Sequence, residues 1–223
     1  MKLDLIRKIP LFATLTDEEF IPLQHIFVLR AYNKNQVIFL EEETGNYMYL
    51  VLSGKVKVSK AGAGGRETIL AIHRTGDFFG EMSLLDGKTA PATVSAMEDS
   101  KIISLSGADF HKYLMHNEKV LLQIINVLCG RLRQVWQTQS ISSSTAEAKI
   151  RNGIYQLAKR HGIQDAHGTI IDLKITHQEL AEMVGTSRET VTRVLSRLRD
   201  ENIIEVEQRR ITLLNPKALL EEE

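Results

Sequence analysis

The chain has 223 residues, 43% hydrophobic and 25% charged, with 28 Lys and Arg balanced by 28 Asp and Glu. That length allows one large domain or two small ones with their own cores, and the composition is that of an ordinary soluble globular protein of the cytoplasm. Three classes are excluded as expectations: no apolar run reaches the ~18 residues of a membrane span, "MKLDLIRKIPLF" carries acid and no cleavage site where a signal peptide would not, and the single cysteine, Cys129, leaves no internal disulfide or iron–sulfur cluster.

The first region runs from residue 1 to 106. Thr16 followed by Glu19 forms a capping-box pattern and predicts a helix start. Then come "QVIFL", "YMYLVLSGKVKVSK", "ETILAIH", "DFFGEMSLL", "ATVSAM" and "SKIISL". In "GKVKVSK", Val56 and Val58 alternate with Lys55, Lys57 and Lys60 as in a half-buried strand. Short strands punctuated by Gly54, Gly62, Gly64-Gly65, Gly76 and Gly87 predict an antiparallel barrel or roll. Spacing alone leaves open a sandwich without a pocket.

From 107 to 140 the period changes. Leu121, Ile125, Leu128, Leu132 and Val135 recur at four-three-four-three spacing, the seam of one long helix. Such a seam pairs with a twin or packs on its own barrel; the pattern does not choose. Cys129, beside the seam, reads as a small buried hydrophobe rather than a thiolate ligand or redox sensor. His111 and His116 are five apart, off the spacing that shares a helix face, and read as surface residues. "QTQSISSSTAE", Gln137 to Glu147, is the expected hinge.

The third region spans 141–223. "AKIRNGIYQLAKRHG" is an amphipathic helix, "GTIIDLKI" a strand and "EVEQRRITLLN" a hairpin. Between them Thr176 and Glu179 make a second capping box, Gly185 supplies a left-handed stop, and Ser187 caps a further helix, "SRETVTRVLSRLRDEN". Leu180, Val184, Val191, Val194, Leu195 and Leu198 supply the apolar faces. Helix, tight glycine turn, helix is the layout that sets a second helix in the DNA major groove. The exposed positions at its start are Arg188, Glu189, Thr192 and Arg193. Arginine pairs with guanine and glutamate accepts from the cytosine amino group. From Thr145 onward there are 12 Lys and Arg against 13 Asp and Glu, so phosphate contact must come from a placed face rather than a basic domain.

The order of roll, long helix and winged helix-turn-helix, with "FFGEMSLLDG" and "ITHQELAEMVGTSRETVTRVLSRLRDENII", resembles the family of the cyclic AMP receptor protein and the fumarate-nitrate reduction regulator (Crp/Fnr) over essentially the whole chain. The resemblance implies an α+β protein: a cyclic-nucleotide-binding-type β-roll that senses an effector, a central dimerisation helix, and a winged helix-turn-helix. It implies no enzyme but a homodimeric bacterial transcription regulator that binds a double-stranded operator and engages RNA polymerase. Arg188, Glu189 and Arg193 match the base-reading trio of the cyclic AMP receptor branch, and Thr176, Gln178 and Ser187 match positions that touch phosphate. TGTGA-like half-sites in an inverted repeat follow from that match. Thr192 stands where that branch usually has glycine.

The same resemblance places an effector pocket at Gly80, Glu81, Met82, Ser83, Lys88, Ala90 and Pro91, within "GEMSLLDGKTAPATV". Gly80 and Glu81 are kept, the glutamate either holding a ribose hydroxyl or bracing the roll. The arginine that neutralises a cyclic phosphate is replaced by Ala90, and the next residue, Pro91, has no N–H. A lost charge-assisted contact is worth about 1.5–3 kcal/mol, and Lys88, if it shared a strand face with Ala90, would rescue it only as a point charge. Cyclic AMP and cyclic GMP are therefore disfavoured, and the expected effector is another small molecule, or none. Haem would need an axial ligand from His25, His73 or Met82, with no spacing to single one out. Trp136 would wall the pocket or pack at the seam. A competing reading is a cyclic-nucleotide-type sensor that signals through a protein partner without binding DNA.

Overall fold

The computed structural model describes residues 6–7, 9–62, 67–139, 145–166, 168–207 and 209–219. Gly64-Gly65, the hinge residues Ser140–Ser144 and the terminal glutamates fall outside these. The chain divides into two compact units, with the break on the long helix between Arg133 and Gln134.

In the first unit, Thr16 caps α1 (Asp17–Phe20) through the full capping box, the Thr16 hydroxyl accepting from Glu19 N–H and the Glu19 carboxylate from Thr16 N–H. A 3-10 turn, Ile21–His25, follows. Eight strands then make two antiparallel sheets: β1 (Val28–Tyr32), β2 (Val37–Phe39), β3 (Tyr47–Ser53), β4 (Lys55–Ala61), β5 (Glu67–Arg74), β6 (Phe78–Phe79), β7 (Thr93–Ala96) and β8 (Ser100–Ser106). One sheet has the order β1-β8-β3-β6, the other β2-β7-β4-β5. The inner faces meet through Tyr32, Val51, Phe79 and Ile102 on one side and Val56, Val94 and Ala96 on the other.

The first sheet is buried on its outer face too. Met48, Leu50, Phe78, Ile103 and Leu105 pack there with Phe12, Phe20 and Phe27 and with Val120 and Ile124 of the long helix. This explains why "YMYLVL" and "IISL" read as near-continuous apolar runs while "KVKVSK" alternates: strands covered on both faces need apolar residues at every position. The core is roll-shaped, with helices closing one side.

"DFFGEMSLL" is not one β-rich run. Gly80 sits at φ +79° after only two strand residues, and α2 (Glu81–Asp86) begins beside it. A Cβ at Gly80 would stand 2.8 Å from Tyr47 O, so glycine is required there for space as well as conformation. After β8, α3 (Gly107–Asp109), capped by Ser106, runs into a π turn, Phe110–Leu114, and then α4 (Glu118–Gln139).

In the second unit, Thr145 caps α5 (Ala146–His161). The short strands β9 (Gly162–Gln164), β10 (Thr169–Ile171), β11 (Ile204–Glu207) and β12 (Arg210–Leu213) form an antiparallel sheet in the order β11-β12-β10-β9. The expected strand "GTIIDLKI" is paired only over its first part. Leu173 and Ile175 stay buried but leave the ladder: Leu173 N–H turns back to Ile171 O, and Ile175 N–H donates to Arg209 O in the β11–β12 turn. Two helices, α6 (His177–Val184) and α7 (Arg188–Asp200), complete the unit.

Candidate functional site

In the roll, the helix start at Gly80 buries Glu81 almost completely, at 1% exposure. Its Oε1 accepts a 2.7 Å hydrogen bond from Nη1 of Arg131, on α4. Nη2 of the same guanidinium donates to Phe78 O, and the group lies 5.0 Å over the Phe78 ring. Glu81 Oε2 is buried and has no hydrogen-bond partner among the described residues. Burial pushes the Glu81 carboxyl above its ordinary value, and Arg131 only partly offsets that.

Beside this pair, the interior is aromatic: Phe39 stacks on Tyr49, Tyr49 on Phe79 and His73 on Phe79, at centroid distances of 5.5, 5.1 and 5.9 Å. Desolvation pushes the Tyr49 phenol up to about 12.

The seven expected pocket residues do not gather into one enclosed site. Glu81, Ser83 and Ala90 are buried, whereas Met82, Lys88 and Pro91 face solvent. Ala90 is tied by backbone alone, its N–H to Glu43 O and its carbonyl to Glu42 N–H, both at 2.8 Å. Lys88 does not share a strand face with Ala90, because 88–90 is not a strand; its side chain is 80% exposed, with the ammonium 4.0 Å from Asp86. Of the haem candidates, His25 and Met82 are exposed and His73 lies buried on Phe79.

On α4, Leu128 and Val127 pack against the roll core and Leu121 is half-buried. Of the expected seam residues, Ile125, Leu132 and Val135 are exposed and Leu121 and Leu128 half-buried. The outward stripe is Leu122, Ile125, Cys129 and Leu132, again at three-four-three spacing, with Ile125 53% and Leu132 49% exposed. Cys129 is exposed, not buried as its small apolar character implied. Val135 and Trp136, in the following turn, are exposed as well.

In the second unit the capping box at Thr176 forms as expected. Gly185 ends α6 at φ +73°, a conformation costly for other residues, and Ser187 accepts from Thr190 N–H to start α7. Val191, Val194, Leu195 and Leu198 bury one face of α7. At about 1.5–3 kcal/mol for each buried aliphatic side chain, packing fixes which face looks out. That outer face presents Arg188, Glu189, Thr192 and Arg193. The helix start and the Ser187 cap hold the Glu189 carboxyl below its usual range. Gln178 is exposed and bonded to Glu182 at 2.7 Å.

Two partnerships escape sequence reading. Arg131 meets Glu81 across 50 residues, with only its position one turn from Leu128 as a clue. His177 Nδ1 lies 2.8 Å from Thr192 Oγ1, linking α6 to α7.

Comparison with known proteins matches these two units. Residues 29–117 match the cyclic nucleotide-binding domain family and residues 149–222 the Crp-like helix-turn-helix domain family. The chain is 33% identical to the cyclic AMP receptor protein of Thermus thermophilus over 96% of this chain and 95% of that one. It is 28% identical to the global nitrogen regulator of Synechococcus elongatus over 89% of each. Among solved structures, a CooA variant from Carboxydothermus hydrogenoformans superposes with a TM-score of 0.76 at 25% identity, covering 89% of this chain and 88% of that one.

Proposed function

We propose that this chain, which belongs to the Crp/Fnr family of bacterial transcription regulators, is a homodimer that reads an inverted DNA repeat under the control of an effector other than a standard cyclic nucleotide. Members of the family are not enzymes: one domain binds DNA through a helix-turn-helix and the other is of the effector-binding type. The observation that carries the DNA reading is the outer face of α7, where Arg188, Glu189 and Arg193 stand exposed over a buried apolar face.

With α7 in the major groove, the two arginines reach guanine edges and Glu189 a cytosine amino group, as in TGTGA-like half-sites spaced about one helical turn apart. Arg193→Ala is expected to cost about 1–3 kcal/mol of operator affinity and to relax preference mainly at one guanine. Substituting Gln178 or Ser187 is expected to weaken all sequences more evenly, as phosphate contacts do. Random-site selection checks the assignment: enriched sites without a GTG core would overturn it. Salt titration separates this reading from a sensor that docks only to proteins, since counterion release gives a steep dependence.

The effector reading rests on Ala90. A buried alanine whose backbone groups are already paired offers a cyclic phosphate no charge. The nearest guanidinium described at Glu81, that of Arg131, is engaged by Glu81 and Phe78. Glu81 Oε2 favours a ligand bearing a hydroxyl or N–H donor, and the stacked aromatics favour an uncharged body. The Thermus relative is named for cyclic AMP and the Synechococcus relative for nitrogen, so likeness across the roll does not select the ligand. Calorimetry is expected to find cyclic AMP and cyclic GMP binding weak or absent, and Ala90→Arg with Pro91→Ser to strengthen it. Micromolar binding by the unmodified protein would overturn this reading.

A further inference from the structure

The link between His177 and Thr192 bears on which bases α7 can read. Thr192 lies on the exposed face of α7, between Glu189 and Arg193. Its hydroxyl has one proton, and that proton is directed to Arg188 O, 3.0 Å away and one helical turn back. The oxygen can then only accept further bonds. His177 Nδ1 lies 2.8 Å away at the start of α6, and in its Nδ1–H tautomer the imidazole donates to this oxygen. Donation from one helix and acceptance within the other hold the Thr192 side chain in a single rotamer.

We infer that His177 is a positioning residue for base reading: it locks Thr192 so that the hydroxyl is spent inside the protein and the γ-methyl is what meets the DNA. A hydroxyl free to rotate would donate to or accept from any base edge and discriminate little. A fixed methyl is matched in the major groove by the thymine 5-methyl group. The half-site therefore carries a thymine preference, set by an apolar contact, at the base facing Thr192, in addition to what Arg188, Glu189 and Arg193 read. This rests on the proposal that α7 enters the major groove.

The test replaces each thymine of a selected half-site in turn by uracil, which removes only the methyl, and measures affinity by fluorescence anisotropy. For the full-length protein one position is expected to lose about fourfold, the worth of one methyl taken from water. Thr192→Val, which keeps a stiff γ-methyl, is expected to retain that discrimination, and Thr192→Ser, which keeps only the hydroxyl, to abolish it. His177→Ala is expected to diminish it and His177→Asn, whose amide N–H can stand in for Nδ1–H, to restore it. Indifference of the unmodified protein to uracil at every position, or unchanged discrimination in Thr192→Ser, would overturn the methyl contact. Unchanged discrimination in His177→Ala would overturn the positioning role. If Arg193→Ala also leaves affinity and sequence preference untouched, the groove reading itself has failed, which is a distinct result.

Discussion

Leu132→Glu is expected to sediment as a monomer and to lose operator affinity by roughly the 10²–10⁴-fold that linked half-site binding confers. Leu122, Ile125, Cys129 and Leu132 form one exposed apolar stripe along α4. A parallel two-fold partner would cover it with the same residues. Glutamate at 132 sets like charges against each other where water is excluded, a cost of several kcal/mol. Leu132 is the better probe than Leu128, which packs on the core of its own roll, so that its loss would confound unfolding with dissociation. Cys129 gives a positive control. As the chain's one cysteine it can form a disulfide only with another copy, and two such stripes packed in parallel would bring it close to its twin near the axis, as a disulfide requires. Mild oxidation is expected to yield a cross-linked dimer that reduction reverses. An unchanged dimer in Leu132→Glu would rule out this stripe.

Arg131→Ala is expected to destabilise the first unit by about 3 kcal/mol near neutral pH, the low end for breaking a buried ion pair, because the arginine is 29% exposed. The substitution leaves Glu81 buried without its counter-charge, so its carboxyl rises further above the ordinary range. A carboxyl whose folded value is raised is more readily protonated in the fold than in the unfolded chain. Stability is then greatest below the unfolded value and falls as pH rises toward the folded one. The deficit of Arg131→Ala is therefore expected to grow as pH rises from the ordinary carboxylate range, and Glu81→Gln in the same chain to flatten it. Urea unfolding across that range reads both, and a deficit independent of pH would show that Arg131 acts through packing on Phe78 instead.

Features settled within a few residues were legible without the fold. The capping boxes at Thr16 and Thr176, the stop at Gly185 and the start at Ser187 each depend on partners three or four positions away, so residue type and spacing suffice to place them. The exposed face of α7 followed for the same reason: once Val191, Val194, Leu195 and Leu198 are buried, helical geometry turns Arg188, Glu189 and Arg193 outward.

What the sequence could not decide was which of two apolar stripes on α4 the roll would claim. Helical periodicity is indifferent to a modest rotation, and only packing against the core of the roll drew Leu128 inward and left Leu122 and Cys129 outside. The short helix from Glu81 was hidden for a related reason, since "GEMSLLD" is too brief to show a period and the turn is set by the close approach of Gly80 to Tyr47. Arg131 with Glu81 and His177 with Thr192 were beyond local reading altogether. A charge or a hydroxyl far along the chain has no preferred partner until burial makes leaving it unpaired costly, and burial is a property of the tertiary structure alone.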